Sequence, residues 1–339
     1  MPQTLNRWTW LILSILSLWI LYTIFANLNS LQLTITYTDV QNFKTVFLSI
    51  VLEAIPFILI GVLVSSLLQE FVPDRWIRKM IPNSPFVGVL VGGLMGILFP
   101  LCECGMIPVV RRLVQKGLPL YIGIVYILAG PIVNPVVFGS TALAFRQVPE
   151  ILWLRMALGF MVAIIVGLIA ARWMRTNPLR SARVNDAAYL HPHHEAQQYT
   201  TNTYRSSRLA KAVGHMSEEF FEMGKYLLIG CLLTAVFQVF VSREFWITIG
   251  EGMSSHLFMA GFAYLLSICS TSDAFIASSF IGTFSTGSLL TFLVFGPMLD
   301  LKNTIVLLSV FRTRFVAILS AVVLFLVLLG SMLAEYLFL

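Results

Sequence analysis

Charge is what this sequence has least of. Only 11% of its 339 residues are Asp, Glu, Lys or Arg, against 58% hydrophobic, and the mean hydropathy is +0.86. Apolar runs of about 20 residues recur, the length that crosses the hydrocarbon core of a bilayer. Other absences narrow the class further. The four cysteines, Cys102, Cys104, Cys231 and Cys269, all lie in or beside apolar segments, which excludes an extracellular disulfide framework. There is no G-x-x-x-x-G-K-[ST] phosphate loop, so ATP hydrolysis by this chain is not expected. Much of the net charge of +6 lies in one loop, which is no nucleic-acid signal. No small-x-small cleavage site follows the first apolar run, Trp8 to Ala26, which is long for a signal peptide; it is expected to remain as a span. No motif asks for a cofactor or a resident metal. His191, His193 and His194 cluster in a polar stretch where solvent accounts for them.

Basic residues orient what is there. The stretch from Arg172 to His215 carries Arg172, Arg175, Arg180, Arg183, Arg205, Arg208 and Lys211 and is rich in Asn, Thr, Ser and His. It reads as a flexible linker, cytoplasmic by the positive-inside rule. Asn27–Gln41 has no Lys or Arg and suits the outer side. Lys44–Gln69 then crosses inward to Arg75, Arg78 and Lys79. Two short apolar pieces follow, Phe86–Leu101 and Gly105–Val114, with Arg111, Arg112 and Lys116 at the far end. With basic residues on both flanks, they read as a hairpin that enters from the cytoplasm, turns at Cys102–Gly105 and returns. Leu118–Phe145 crosses outward, and Ile151–Ala171 crosses back to the linker.

Beyond the linker the chain repeats itself. Glu53–Gly61 lines up with Glu222–Gly230, Cys102 with Cys269, Gly130-Pro131 with Gly296-Pro297, and Asn134 with Asp300. The second copy starts inside: Gly224–Val241 crosses out, His256–Phe284 forms a hairpin, Leu289–Leu308 crosses in and Phe315–Glu335 crosses out. The expected fold is therefore an all-α polytopic membrane protein with an N-terminal helix and two inverted-topology repeats. Each repeat carries a re-entrant or broken helical hairpin. The segments are 1–43 (helix and external loop), 44–171 (repeat one), 172–215 (linker) and 216–339 (repeat two). Many secondary transporters use this arrangement, binding solute at midplane on discontinuous helices.

Chemistry concentrates at the breaks. Phe99-Pro100-Leu101-Cys102-Glu103-Cys104-Gly105-Met106-Ile107-Pro108 places two thiols and an acid among residues that interrupt helices. Its counterpart, Ser267-Ile268-Cys269-Ser270-Thr271-Ser272-Asp273, is dense in hydroxyls and also carries an acid. Two crossing helices hold the other breaks, at Gly130, Pro131, Asn134 and Pro135, and at Gly296, Pro297, Asp300, Lys302 and Asn303. Because i and i+2 do not share a helical face, Asp300 and Lys302 are expected to pair with other helices. Ionisable groups at membrane depth are costly and usually serve a cavity or a partner. The structural alternatives are an Asp273 helix cap, an internal ion pair at the second break, and cysteines acting as small hydrophobes. The functional assignment gives substrate contact to Cys102, Cys104, Cys269, Asn134, Ser270, Thr271 and Ser272. Ion coupling falls to Glu103, Asp273, Asp300, Lys302 and Asn303. Helix breaking falls to Pro100, Gly105, Pro108, Gly130, Pro131, Pro135, Gly296 and Pro297.

The four motifs, in this order, resemble the predicted-permease family of YraQ-like proteins, which includes the organoarsenical efflux permeases called ArsP. The resemblance spans roughly residues 45–335. It implies a multi-pass permease of the inner membrane, with export of trivalent organic arsenicals as the family's best-known activity. It also implies cysteines in substrate recognition, here Cys102, Cys104 and Cys269. Thiolates favour soft partners, which fits such solutes. The expected protein is a secondary transporter in the lipid bilayer that takes a small thiophilic solute and is compatible with homo-oligomers. The rival from another class is a membrane thiol redox enzyme using Cys102 and Cys104, although C-x-C departs from the usual C-x-x-C. A passive channel would not need acids at the helix breaks.

Overall fold

The computed structural model describes residues 37–71, 73, 82, 84–98, 101–173, 208–240 and 253–338. The expected span Trp8–Ala26, Pro100 and most of the linker, with His191, His193 and His194, lie outside the described residues. Two compact units are present, Met1–Lys44 and Thr45–Leu339, and the candidate site belongs wholly to the second.

Among the described residues there is no β-strand, and twelve helices follow one another. They are α1 Tyr37–Phe71, α2 Pro85–Leu98, α3 Glu103–Gln115, α4 Leu120–Ala129, α5 Pro135–Ala144 and α6 Glu150–Trp173. After the linker come α7 Arg208–Phe240, α8 Met253–Leu266, α9 Asp273–Ser278, α10 Thr286–Met298, α11 Leu301–Val310 and α12 Thr313–Phe338. Five stretches are long and apolar enough to cross a membrane: Val40–Phe71, Glu150–Arg172, Met216–Val239, Thr286–Val310 and Thr313–Leu337. Helix is the form such sequences must take, because lipid offers nothing to bond exposed backbone. The protein is an all-α polytopic membrane protein.

Burial sorts these helices. From Gly287 to Met298 every residue of α10 is buried, and a helix apolar on all sides belongs at the centre. The Val40–Phe71 and Thr313–Leu337 spans leave most of their apolar surface uncovered, as lipid-facing helices do. The hairpin arms are too short to cross alone. With 14, 13, 14 and 6 residues, α2, α3, α8 and α9 reach about 21, 20, 21 and 9 Å against a core about 30 Å thick.

The two halves run through the same series of elements: a long helix, a short-armed hairpin, a broken helix and a final long helix. The breaks share a mechanism. Asn134 precedes α5 with extended backbone, and its side-chain oxygen accepts from the Val136 N–H at 2.9 Å. Asp300 precedes α11 with extended backbone, and its carboxylate accepts from the Asn303 N–H. Each is an N-cap that satisfies a donor left free by the new helix. Packing crosses between the halves as well, with α3 against α11 and α9 against α5.

Several expected helix breakers are helical. Gly105 and Pro108 lie inside α3, which begins at Glu103, so Gly105 is no part of the expected turn at Cys102–Gly105. Pro108 deprives only the Cys104 carbonyl of its donor, and tight packing keeps the helix intact around it, with ten of its residues buried. Gly105 serves close approach instead of turning. A Cβ at Gly61 of α1 would stand 2.5 Å from the Gly105 Cα, so only two glycines let these helices cross. Gly296 and Pro297 likewise form the last turn of α10, and the chain leaves the helix after them, at Leu299 and Asp300. Gly130 and Pro131 do occupy the break between α4 and α5, and Pro135 opens α5.

Candidate functional site

The two hairpin tips meet. Glu103, the first residue of α3, reaches across to the second half with both oxygens. One accepts from the Asn303 side-chain amide at 2.6 Å and the other from the Ser270 backbone N–H at 3.3 Å. Asn303 completes the bridge on its oxygen side, 3.8 Å from the Cys104 thiol that donates to it. One carboxylate thus ties the tip of the first hairpin to the tip of the second and to α11. It is almost fully buried and fully engaged. A carboxylate held by two donors is positioned, not merely tolerated.

Lys302 supplies the positive charge. It is buried on the first turn of α11. Its ammonium donates to the Ser267 carbonyl at 3.3 Å and stands 3.8 Å from the Asp300 carboxylate. The expectation that Asp300 and Lys302 pair with other helices is corrected here. Asp300 is an extended cap outside α11, so the helical rule against i and i+2 does not reach it. Lys302 also donates its backbone N–H to the Ser267 hydroxyl at 3.2 Å. Ser267 has φ +46°, a left-handed conformation that side chains other than glycine rarely adopt. The turn leading into Cys269 is strained and pinned from α11, as happens where surrounding structure over-determines a site.

Between these groups lies a cavity of about 20 Å³, room for about one water. Its walls are Cys102, Glu103 and Cys104 from the first tip, Cys269 from the second, and Lys302 from α11. The fourth wall is α1, through Ile50, Glu53, Ala54 and Phe57. Cys104 is buried, while Cys102 and Cys269 are half-buried, and all are free thiols. Among the described residues no three His, Cys, Asp or Glu side chains come close enough to hold a metal ion together. The three cysteines therefore share a cavity without forming a ready three-sulfur cage. Cys231 is buried in the main apolar core, as a packing residue.

Other expected site residues sit elsewhere. Asn134 and Asp300 are caps and are not on the cavity wall. Ser270 faces Glu103 through its backbone, Thr271 donates to the Cys269 sulfur at 3.5 Å, and Ser272 is exposed. Asp273 begins α9, and its partner is Arg155 of α6 at 2.7 Å. Arg155 is wholly buried and also donates to the Thr141 hydroxyl at 2.8 Å and the Ser270 carbonyl at 3.2 Å. The second tip is thereby anchored to the first half, as Glu103 anchors the first tip to the second half. Sequence reasoning missed Arg155 and Glu53 as site residues. The signal was there: each is the sole charged residue well inside its apolar run.

Two further polar groups also escaped it. Glu219 of α7, buried, accepts from the Ser65 hydroxyl at 2.9 Å and lies 3.5 Å from Arg112, beside the exposed pair Arg111–Glu222 at 3.0 Å. His256 of α8 contacts Glu335 at 2.8 Å and Thr291 at 3.0 Å.

A multi-pass helical protein that brings broken helices and charged hairpin tips together around one central cavity is built as a membrane permease. The chain belongs to a family of predicted permeases, whose family model matches residues 39–336. It is 42% identical to the UPF0718 protein YcgR of Bacillus subtilis (strain 168), over 86% of this chain and 96% of that one. It is 31% identical to a putative two-component membrane permease complex subunit of Streptococcus mutans, over 80% of this chain and 87% of the relative. A shorter match, 24% identical over 37% of this chain and 36% of the other, joins it to the UPF0718 protein YraQ of Escherichia coli (strain K12). No solved structure matches the chain.

Proposed function

We propose that this permease is a secondary transporter of the inner membrane that exports a small thiophilic solute, such as a trivalent organoarsenical. The observation that carries the reading is the convergence of Cys102, Cys104 and Cys269 with Glu103 and Lys302 on one cavity, from both halves of the chain. Thiols supply soft ligands that hydroxyls cannot. Glu103 and Lys302 are charges whose balance a bound solute or proton would change, and Asp300, Asn303 and Asp273 keep them and the tips in place. Segments 44–171 and 216–339 act as inverted repeats that rock about the tips, with 172–215 a cytoplasmic linker. The matching series of elements and the matching caps Asn134 and Asp300 support that symmetry. The cavity holds about one water, so this conformation is a closed one and the tips must part to admit solute. The name of the Streptococcus mutans relative adds a protein partner to the proposal, alongside self-association.

Everted vesicles from expressing cells test it. They should accumulate trivalent methylarsenite when a pH gradient is imposed. Cys102→Ser, Cys104→Ser and Cys269→Ser should reduce that uptake strongly at unchanged protein abundance. Wild-type-like uptake in all three variants would remove the thiols from the mechanism. Quinone-dependent thiol oxidation in proteoliposomes, without solute movement, would favour the redox enzyme.

A further inference from the structure

Glu53 is a charge where none is expected. It lies in the Val40–Phe71 span, with about 20 Å of helix on one side and about 27 Å on the other. No other residue between Lys44 and Gln69 is charged. Its side chain is exposed, and among the described residues it has neither a hydrogen-bond nor an ion-pair partner. Its equivalent in the second half, Glu222, does have one, the Arg111 guanidinium at 3.0 Å. Yet Glu53 lines the same cavity as Cys102, Glu103, Cys104, Cys269 and Lys302. An acid inside an apolar span, with no counter-charge near it on its own helix, marks a functional position.

The other acids are committed. Glu103 spends both oxygens on Asn303 and Ser270, Asp273 is held by Arg155, and Asp300 caps α11 beside Lys302. Glu53 alone among them is free to lose and regain a proton without undoing the fold. Pro56 adds to this, because it leaves the Leu52 carbonyl without its helical donor one residue before Glu53. We propose that Glu53 is the proton-carrying carboxyl of this permease, loading and releasing its proton at the α1 wall of the cavity. The inference rests on the transporter reading above. A proton adds to a carboxylate oxygen from water and returns to water, and no other bond forms or breaks. The titratable groups that face it across the cavity are Glu103, Lys302 and the three thiols. Loss of the proton from Glu53 adds an anion to the cavity that Lys302 and Glu103 share, and its return removes that charge.

Dicyclohexylcarbodiimide, which attacks protonated carboxyls in apolar surroundings, reads Glu53 without reference to any solute. In membranes holding the full chain, the peptide bearing Glu53 should gain the reagent's mass, less so as pH rises, while Glu103, Asp273 and Asp300 stay unmodified. An unmodified Glu53 would overturn the proposal. Labelled trivalent methylarsenite supplies the second arm. Glu53→Gln should lower gradient-driven accumulation to that of vesicles lacking the protein while lowering solute counterflow far less, with Glu53→Asp recovering part of the accumulation. Gradient-driven uptake by Glu53→Gln overturns the role, and so does loss of counterflow, which would make Glu53 a binding or folding residue. If the wild-type protein moves no methylarsenite, the solute reading fails separately, and the carbodiimide arm still decides Glu53.

Discussion

Asp273→Ala tests the anchoring of the second hairpin tip. The substitution leaves Arg155 wholly buried with its 2.7 Å carboxylate partner gone. Removing one member of a buried pair costs about 3–5 kcal/mol, because the remaining charge is uncompensated. Arg155 keeps two acceptors, Thr141 and Ser270, so the loss should fall at the low end. About 3 kcal/mol is somewhat more than a hundredfold in the unfolding equilibrium. Removing both partners is a different perturbation. The Asp273 Oδ1 and Arg155 Nε atoms find no partner among the described residues, so the pair is imperfectly satisfied as it stands. Arg155→Met with Asp273→Ala should therefore cost less than Asp273→Ala alone, by about 1–2 kcal/mol. Unfolding in mixed dodecyl sulfate and dodecyl maltoside micelles, followed by tryptophan fluorescence, measures Asp273→Ala, Arg155→Met and the double variant. The reasoning fails if Asp273→Ala costs under about 1 kcal/mol, or if the double variant loses the sum of the single ones.

Gly61→Ala should lower stability by about 1–3 kcal/mol in the same assay, since its Cβ has no room against Gly105. Gly224→Ala, where a Cβ meets nothing within 4 Å, should instead gain up to about 1 kcal/mol. Asp300→Asn keeps a capping oxygen and should lose less abundance than Asp300→Ala by fluorescence-detected gel filtration. Asp300→Ala loses the cap, worth about 1 kcal/mol, and orphans Lys302, so its abundance should drop. A short thiol-to-thiol crosslinker should join Cys102 to Cys269 in a Cys104→Ser, Cys231→Ser background. The two halves should then stay together on a non-reducing gel after cleavage within 180–203; separate halves would deny that the tips meet. A reporter placed in 180–203 should be cytoplasmic and one at Leu339 external, and finding both on one side would end the inverted-repeat reading.

Composition and periodicity by themselves determined that this is a helical membrane protein. Burying so many apolar residues with so few charges leaves a chain no other solvent, and apolar runs of about 20 residues fit the bilayer as helices that satisfy their own backbone. Helix starts were legible too, because such residues act on the local backbone: sequence paired Asn134 with Asp300 at the breaks, and each caps the helix that follows it. Cys102, Glu103, Cys104, Cys269 and Lys302 stood out as polar residues in apolar runs, and they line one cavity. Local rules failed where packing overrode them. Pro108 and Gly105 read as breaks, yet α3 runs through both, since burial on most of its faces and the Gly61 crossing outweigh one lost hydrogen bond. Partners across the fold were invisible for a plainer reason. No rule of spacing joins Glu103 to Asn303, or Arg155 to Asp273, across 200 and 118 residues. Only the tertiary structure brings such groups within bonding distance, and only it shows that Glu53 shares their cavity without a partner among the described residues, because in the linear chain every charge in an apolar run looks equally alone.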